Sequence, residues 1–467
     1  MNRRTLALPA LLGLALIPWA AGAALGPRYG GELAVAVAEL PESLEPGVPR
    51  GAAEGLLAAL VHETLVAGGP DGVPVPRLAR GWASGAGGRE WTLRLAEGAA
   101  FHDGKPVTAI EAARSLRRFL RADSASAARF ARHLEGGPAY RARSTEDTPG
   151  IAIQDGTRLT LRLAEPVPLP LAPLSATAAA ITSSSGAGAG PFAPASFLPA
   201  KSRSLTAFAA HLAGRPYLDQ LRLLPAPEPQ GLEAALSAGR LGLHPRVGPA
   251  PHAWLASLLL IVDPAQPPFD RLPARSALAA ALTTPDLLGQ LLPGAAGSRS
   301  LLPPSLLPPL GLPALPTPGP LAGEAVMAVS REVPPLLSQR VVAYLLEAGL
   351  RVTARPQSPR EAERARAQLR LVLAKPEVAE AGLALGELAS LAPPVPGAQE
   401  ALLAAEGEFS LDRRQLHLHR AEAALRGDFT LIPLAAVPLS YAARPGLHGV
   451  ALDPRGRLLL EDAWLDP

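Results

Sequence analysis

The side chains that could carry chemistry are dispersed along this sequence, and few are spaced for metal binding or catalysis. The nine histidines are scattered. His417 and His419 are only two residues apart, so on a helix their rings would point in different directions and make a poor chelate. We predict surface positions for both. His102 lies beside a turn, where we expect a local hydrogen bond rather than a catalytic role.

The sequence also lacks the motifs of hydrolytic enzymes. It contains no Gly-x-Ser-x-Gly elbow, no His-Glu-x-x-His motif and no paired-carboxylate motif. It has no cysteine, which excludes disulfides, thiolate metal sites, cysteine nucleophiles and a lipid anchor on an amino-terminal cysteine. We therefore expect a protein that is not an enzyme and that holds no cofactor and no metal.

Two further polar stretches invite interpretation. Glu39, Glu42 and Glu45 follow an apolar first strand, where their carboxylates could meet a cationic ligand or form a solvated loop. The run Ser183–Gly190 has the composition of a phosphate-binding loop. It lacks the Gly-Lys-Ser/Thr ending, and Pro191 follows where a helix should begin. We predict a flexible loop there.

The first residues have the pattern of an export signal. Arg3 and Arg4 precede an apolar run over 6–20, and Ala21-Gly22-Ala23 supplies small residues for cleavage. The run is short for a membrane span, which needs about 20 apolar residues. We expect a cleavable signal peptide over residues 1–23, with the general or the twin-arginine route open, and a periplasmic protein that is not a lipoprotein.

Length and charge narrow the function further. The chain has 467 residues, enough for two or more domains, and a net charge of +3 with scattered arginines. A nucleic-acid-binding protein would concentrate its basic residues in a stripe, and we predict no nucleic-acid partner. The most apolar short run after the signal, Leu255–Val262, has the length of a buried strand.

The clearest local structure lies at 91–121. Alternation over Trp91–Leu95 predicts a half-buried strand, and Asp103-Gly104 a tight turn. Thr108 and Glu111 have the spacing of a capping box at the start of a helix. We predict one apolar helix face, formed by Ile110, Ala113, Leu116, Phe119 and Leu120.

The sequence of this segment closely resembles the family 5 extracytoplasmic solute-binding proteins, the receptors of peptide, nickel and oligosaccharide ABC importers. The motifs that carry the resemblance are W-T-L-R-L, E-G and F-H-D-G-K-P-V-T-A. Other short motifs also resemble sequences of this family, and they follow one another along the chain in the same order as in the family. They are Gly30–Leu33, Leu44–Pro46, His62–Val66, Val75–Trp82, Gly188–Phe192, Gly214–Asp219, Pro267–Asp270, Arg275–Leu278 and Ile432–Leu434.

The resemblance implies an α/β, two-lobed periplasmic-binding-protein fold of the type II kind, with an extra subdomain in the first lobe and a hinge. We place lobe 1 at 24–255, with the inserted subdomain at about 47–165. Lobe 2 then spans 256–429, and 430–467 returns to lobe 1. By their position in such a fold, six residues are expected to line the ligand cleft: Glu39, Glu42, Phe192, Asp263, Lys375 and Tyr441.

The function implied is the extracytoplasmic substrate-binding component of an ABC importer. Such a protein captures a peptide-like or other small ligand between its lobes and delivers it to a permease and ATPase complex in the inner membrane. We expect a monomer.

Two departures from the family pattern keep alternatives open. A proline-rich stretch over 301–323 replaces a helix of the family. Ala374-Lys375-Pro376-Glu377 stands where peptide-binding relatives have a Trp and an Asp for the ligand's ammonium group. The alternatives are an interaction or sensing protein without transport and, third, an exported hydrolase.

Overall fold

Strands and helices alternate along most of the chain, as expected of an α/β protein. The computed structural model describes residues 26–47, 49, 51–69, 72–198, 202–226, 229–247, 254–282, 291, 296–309, 321–453 and 456–466. The predicted signal peptide over 1–23 lies outside these residues. No helix within the described ranges is long and apolar enough to cross a membrane.

The helices of the described chain are α1 (Ala52–Val61), α2 (Ala109–Leu120), α3 (Ala125–His133), α4 (Gly137–Arg141), α5 (Pro229–Ser237), α6 (Leu272–Leu282), α7 (Pro335–Glu347), α8 (Pro359–Arg364), α9 (Ala381–Ala389), α10 (Pro396–Gly407) and α11 (Leu411–Gly427). Short 3₁₀ helices lie at Ala86–Gly88, Ala172–Ser175 and Thr177–Ala179.

The strands are β1 (Glu32–Val37), β2 (Val66–Gly68), β3 (Pro74–Pro76), β4 (Ala79–Gly85), β5 (Glu90–Leu95), β6 (Ile151–Ile153), β7 (Arg158–Arg162), β8 (Phe192–Leu198), β9 (Ser202–Ala207), β10 (Gln220–Pro225), β11 (Leu243–Val247), β12 (Trp254–Val262), β13 (Ala296–Gly297), β14 (Gly323–Ser330), β15 (Leu350–Gln357), β16 (Leu369–Ala374), β17 (Leu431–Ala443), β18 (Leu447–His448), β19 (Ala451–Leu452), β20 (Leu458–Leu459) and β21 (Trp464–Leu465).

One large sheet runs through both lobes in the order β15-β14-β16-β12-β17-β11-β1-β10-β9-β8, with β13 beside β17. Lobe 1 contains β11, β1, β10, β9 and β8, and lobe 2 contains β12, β16, β14 and β15. Strand β17 joins them: its first part pairs with β12, and from Leu439 onward it pairs with β11. We predicted the return to lobe 1 at residue 430, whereas this exchange of partners occurs at Leu439.

Lobe 2 buries both faces of its sheet. In β12, Leu258, Leu260 and Val262 face one apolar cluster with α6 and α7, while Leu259 and Ile261 face another with α9 and α11. A strand covered on both faces needs apolar side chains at every position rather than at alternate ones. This explains the continuous run predicted as a buried strand.

The inserted subdomain has its own four-stranded sheet, in the order β4-β5-β7-β6, and helices α2–α4. Its core is formed by residues between Leu65 and Ala189, with Phe101 and Phe119 almost fully buried, and it also includes Val378 and Leu383 of lobe 2. The predicted range of about 47–165 therefore ends before the last residues that pack into this core.

Helix α2 confirms part of the local prediction and corrects the rest. Thr108 caps it, accepting a hydrogen bond from the Glu111 backbone N–H at 3.4 Å. The Glu111 carboxylate accepts from Arg114 Nε at 2.7 Å, so the capping box is half formed. Ile110 is 62% exposed, because the buried stripe runs through Ala109, Ala112, Ala113, Leu116, Phe119 and Leu120 and leaves position 110 outside.

The stretch Ser183–Gly190, predicted as a flexible loop, is tightly held. Ser183 and Ser185 donate to Asp103 Oδ2 at 2.9 and 2.8 Å. A Cβ on Gly188 would lie 2.0 Å from the Val61 carbonyl oxygen. The glycines therefore serve a close approach of two backbones rather than flexibility. In the proline-rich stretch predicted over 301–323, the described residues 301–309 and 321–322 contain neither helix nor strand, and Gly323 begins β14.

Candidate ligand-binding cleft

A cavity of about 540 Å³ lies between the two lobes, beside β17. Lobe 1 contributes the loop after β1, the first turn of α1, and His244–Arg246 of β11. Since β1, β10 and β11 are parallel, the loop after β1 emerges at the carboxyl edge of this part of the sheet. Open α/β sheets hold their ligands at that edge.

Lobe 2 forms the opposite wall by the same rule. Strands β14, β15 and β16 are parallel, so the loops that follow them gather at one edge. These loops carry the lining residues Arg331 and Glu332, Ser358–Glu361, and Lys375–Glu377. The cleft is therefore built from the carboxyl ends of strands in both lobes.

The wall contributed by lobe 1 carries three carboxylates, Glu39, Glu42 and Glu54, together with the guanidinium groups of Arg246 and Arg457. Glu39 has a raised pKa, because burial disfavours its charged form and because Glu361, Glu42 and Glu54 are nearby, while Arg331 opposes this shift. A cation placed beside Glu39 would oppose this rise in pKa, because an opposite charge favours the carboxylate. The carboxylates around Glu39 thus favour a positively charged group in the cleft.

On the opposite wall of the cleft, Lys375 already forms an ion pair with Glu332. Its Nζ donates to Glu332 Oε2 at 2.6 Å, and Glu332 Oε1 accepts from the Ala52 backbone N–H at 2.5 Å. Ala52 belongs to lobe 1, whereas Glu332 and Lys375 belong to lobe 2. The Glu332 carboxylate therefore connects the two walls.

A second cavity of about 690 Å³ continues from the first, between α3 of the subdomain and α9 and α10 of lobe 2. Pro49, Glu363, Lys375, Pro376 and Glu377 line both cavities. Beside the second one, Glu380 Oε2 accepts from Arg129 Nη1 at 2.6 Å and Glu380 Oε1 from Arg414 Nη2 at 2.5 Å. This buried ion pair also crosses from the subdomain to lobe 2.

The structure brings three of the six expected residues together. Glu39, Glu42 and Lys375 line the cleft; their contact with a ligand stays a prediction. Phe192, Asp263 and Tyr441 do not line it. Phe192 is 0% exposed in the core of lobe 1.

Asp263 lies at the wrong end of its strand. Because β12 runs antiparallel to β16, Val262 pairs with Leu369 at the start of β16, whereas Lys375 follows its end. Asp263 instead accepts from Ala265 N at 2.9 Å and Gln266 Nε2 at 2.7 Å in a turn. Tyr441 packs on the core of lobe 1, and its hydroxyl donates to the Val450 carbonyl at 3.2 Å.

Sequence reasoning missed Arg331, Glu332 and Glu361, which line the cleft from lobe 2. Each follows a strand of lobe 2, and the loops after these parallel strands meet at one edge of the sheet. The sequence alone does not show that these strands are parallel neighbours, and their pairing is what brings the three residues together.

The histidines form no metal site among the residues described, where no group of three potential metal ligands occurs. His419 was predicted at the surface but is 8% exposed, with Nδ1 4.0 Å from Glu422 Oε2. His102 forms a hydrogen bond as expected, but not a local one: its Nε2 donates to the carbonyl of Gly190, 88 residues away, at 2.9 Å.

A family model, described as Bacterial extracellular solute-binding proteins, family 5 Middle, matches residues 73–314. OppA of Haemophilus influenzae, solved in complex with the peptide RPPGFSPFR, superposes with a TM-score of 0.78 at 16% identity, covering 94% of this chain and 100% of that one. The murein tripeptide binding protein MppA of Escherichia coli gives 0.78 at 16% identity, covering 94% and 99%.

A periplasmic oligopeptide-binding protein of Borrelia burgdorferi gives a TM-score of 0.82 at 15% identity, covering 93% and 100%. At these identities the likeness shows the two-lobed fold. No curated protein matches the sequence significantly.

Proposed function

This chain belongs to the family 5 bacterial extracellular solute-binding proteins, and from that premise we propose that it is the substrate-binding component of an ABC importer, with a peptide-like or other small ligand carrying a cationic group. Proteins of this family bind solutes and are not catalysts, so the chain is a binding protein rather than an enzyme. The periplasm, and export by a cleavable signal peptide, belong to the same proposal.

The observation that carries the proposal is the interlobe cavity. Its volume of about 540 Å³ lies within the range of ligand sites, about 300–1,000 Å³. Both lobes line it, so a ligand held there is buried on two sides. Glu39, Glu42 and Glu361 supply the negative charge that would pair with an ammonium or guanidinium group.

The family's solved structures support a peptide-like ligand. OppA of Haemophilus influenzae was solved with a nine-residue peptide, and MppA of Escherichia coli is a murein tripeptide binding protein. In this chain the segment Ala374–Glu377 stands where the family resemblance places a Trp and an Asp for the ligand's ammonium group, and it contains neither residue. We therefore place the ligand's cation on the opposite wall, beside Glu39.

A screen by thermal unfolding tests the ligand class. The panel comprises di- to tetrapeptides with free and acetylated amino termini, Ni²⁺ and its chelates, oligosaccharides and polyamines. A ligand present at 100 times its Kd stabilises the folded protein by about 2.7 kcal/mol. We expect saturable shifts with cationic members, and loss of the shift on acetylation.

Glu39→Gln should weaken that ligand about 10- to 100-fold, since a hydrogen bond to a charged group contributes about 1.5–3 kcal/mol. Glu324→Gln is the matched control, because the Glu324 side chain is 80% exposed and lies outside the cleft wall. An unchanged Kd in Glu39→Gln would remove Glu39 from the site.

Transport is tested by uptake. Cells lacking the protein should lose uptake of the ligand found in the screen, and the intact gene should restore it. The interaction or sensing alternative is favoured by one observation, the internal pairing of Lys375 with Glu332. Binding without any change in uptake would support that alternative and contradict the importer.

A further inference from the structure

Two helices of lobe 1 begin at the cleft without a cap of their own. Helix α1 follows Gly51, and the 3₁₀ helix Thr177–Ala179 follows Ala176; neither preceding residue supplies a side-chain acceptor. The first N–H groups of a helix have no partner within it, and a side chain at the N-cap normally accepts from one of them. These N–H groups must find acceptors elsewhere.

Lobe 2 supplies both acceptors. Glu332 Oε1 accepts from the Ala52 N–H at 2.5 Å, and Glu377 Oε1 accepts from the Ala178 N–H at 3.2 Å. Lys375 Nζ holds the second oxygen of Glu332 at 2.6 Å. The Glu332 and Lys375 side chains are only 11% and 20% exposed, so water competes weakly for them.

The contact at α1 also needs the glycine. A Cβ on Gly51 would lie 3.1 Å from Pro359 Cγ and 3.3 Å from Glu332 Oε1, closer than ordinary van der Waals contact. The missing side chain at Gly51 therefore has two effects. It leaves α1 without a cap from its own lobe, and it lets the backbone of lobe 1 approach lobe 2.

We propose that Glu332 and Glu377 form an interlobe latch, which holds the lobes closed by capping helices across the cleft. Every partner is a residue of this chain, so closure needs no ligand group to complete it. A solute can enter only while both caps are broken, and its apparent affinity is then lowered in proportion to the fraction of molecules that are open. This inference does not depend on which solute binds.

The latch is tested on the purified protein without any solute, so its failure is distinct from failure of the proposed function. Small-angle scattering measures the separation of the lobes, and hydrogen exchange followed by mass spectrometry measures the amides of residues 52–54. Glu332→Ala should increase the radius of gyration. It should also speed exchange at these amides about fivefold, the factor that corresponds to a lost cap.

Glu332→Gln keeps one oxygen acceptor and should show a smaller change in the same direction. Glu324→Ala is the charge control, because it removes an exposed carboxylate of the same lobe. It should leave both measurements at the wild-type values. Unchanged scattering and exchange in Glu332→Ala would overturn the latch, and so would a wild-type scattering curve that fits separated lobes.

If Glu332→Ala does not fold, a steric variant tests the latch independently. Gly51→Ala keeps every charge but places a methyl group between the lobes, and should separate them. Gly55→Ala is its control in the same helix, since the nearest atom to its Cβ would be Arg457 Cδ at 3.6 Å. Lobes that stay closed in Gly51→Ala, or open equally in Gly55→Ala, would contradict the proposal.

Discussion

Removal of the Glu380 carboxylate should be among the most destabilising single changes in this protein. Its side chain is 4% exposed and lies between Arg129 and Arg414, which are 5% and 8% exposed. It also caps α9, accepting from the backbone N–H groups of Gly382 and Leu383 at 2.9 and 3.0 Å. Burial alone would raise the pKa of Glu380, but Arg129 and Arg414 hold it below the usual value.

The magnitude follows from what Glu380→Ala leaves behind. Breaking a buried ion pair by removing one partner costs about 3–5 kcal/mol, because the remaining charge stays buried without compensation. Here two guanidinium groups lose their shared partner. Loss of the α9 cap adds about 1 kcal/mol. We expect the free energy of unfolding to fall by at least about 4 kcal/mol.

Urea unfolding, followed by circular dichroism at pH 7, measures this change. Glu324→Ala is the matched control: Glu324 also pairs with an arginine, Arg351, but at 3.8 Å and with both side chains more than three-quarters exposed. An exposed pair contributes about 0.2–1 kcal/mol. A loss in Glu380→Ala no larger than that of the control would refute the reasoning.

Replacing all three charges sharpens the same test. A variant with Arg129→Met, Glu380→Leu and Arg414→Met should be much more stable than Glu380→Ala, because no buried charge remains uncompensated. Since the pKa of Glu380 is lowered in the folded protein, its stabilisation is present at neutral pH and is lost as the pH falls below about 4.5. The triple variant should lose this acid dependence.

Three further outcomes are expected. Burial lowers the pKa of His62 from 6.5 to about 4, so between these pH values the unfolded chain binds more protons than the folded one. The free energy of unfolding should therefore fall by up to about 3 kcal/mol as the pH drops through that interval. Urea unfolding at pH 7.5 and 5 measures this change, and His62→Gln should weaken the pH dependence. Phe192→Ala should cost about 3–5 kcal/mol in the same assay without changing ligand affinity, and a changed affinity would return Phe192 to the cleft. Gly188→Ala should lower the melting temperature, because its Cβ would lie 2.0 Å from the Val61 oxygen; an unchanged melting temperature would contradict the close approach.

Features that depend on neighbouring residues were predictable from the sequence. Thr108 caps α2 because Glu111 is three residues away on the same turn, and that geometry is independent of the rest of the fold. The run predicted at 255–262 is a strand, and its residues 258–262 are buried on both faces, as the lack of alternation indicates. Ile110 was misplaced because several apolar stripes fit one helix, and only its partners select one of them.

Features that depend on packing between distant segments were not predictable in the same way. The glycines at 188 and 190 suggested a flexible loop, yet a Cβ on either would lie less than 3 Å from the backbone of residues 60–62. Composition cannot distinguish a glycine that permits motion from one that permits close contact. Phe192 was likewise predicted to line the cleft because of its position in the motif Gly188–Phe192, although a large aromatic side chain favours the core.

The cleft shows most clearly the difference between features set by neighbouring residues and features set by contacts between distant segments. Glu39, Glu42 and Lys375 were expected in the cleft from their position in the fold that the family resemblance implies, and they line it because each follows a strand at the carboxyl edge of the sheet. The partner of Ala52 was not found, because Glu332 lies 280 residues away in sequence. Yet the sequence does contain its trace: α1 begins after a glycine, with no Ser, Thr, Asp or Asn at the N-cap. Both lobe 1 helices that begin at the cleft without their own cap take an acceptor from lobe 2: Glu332 for α1 and Glu377 for the 3₁₀ helix at Thr177.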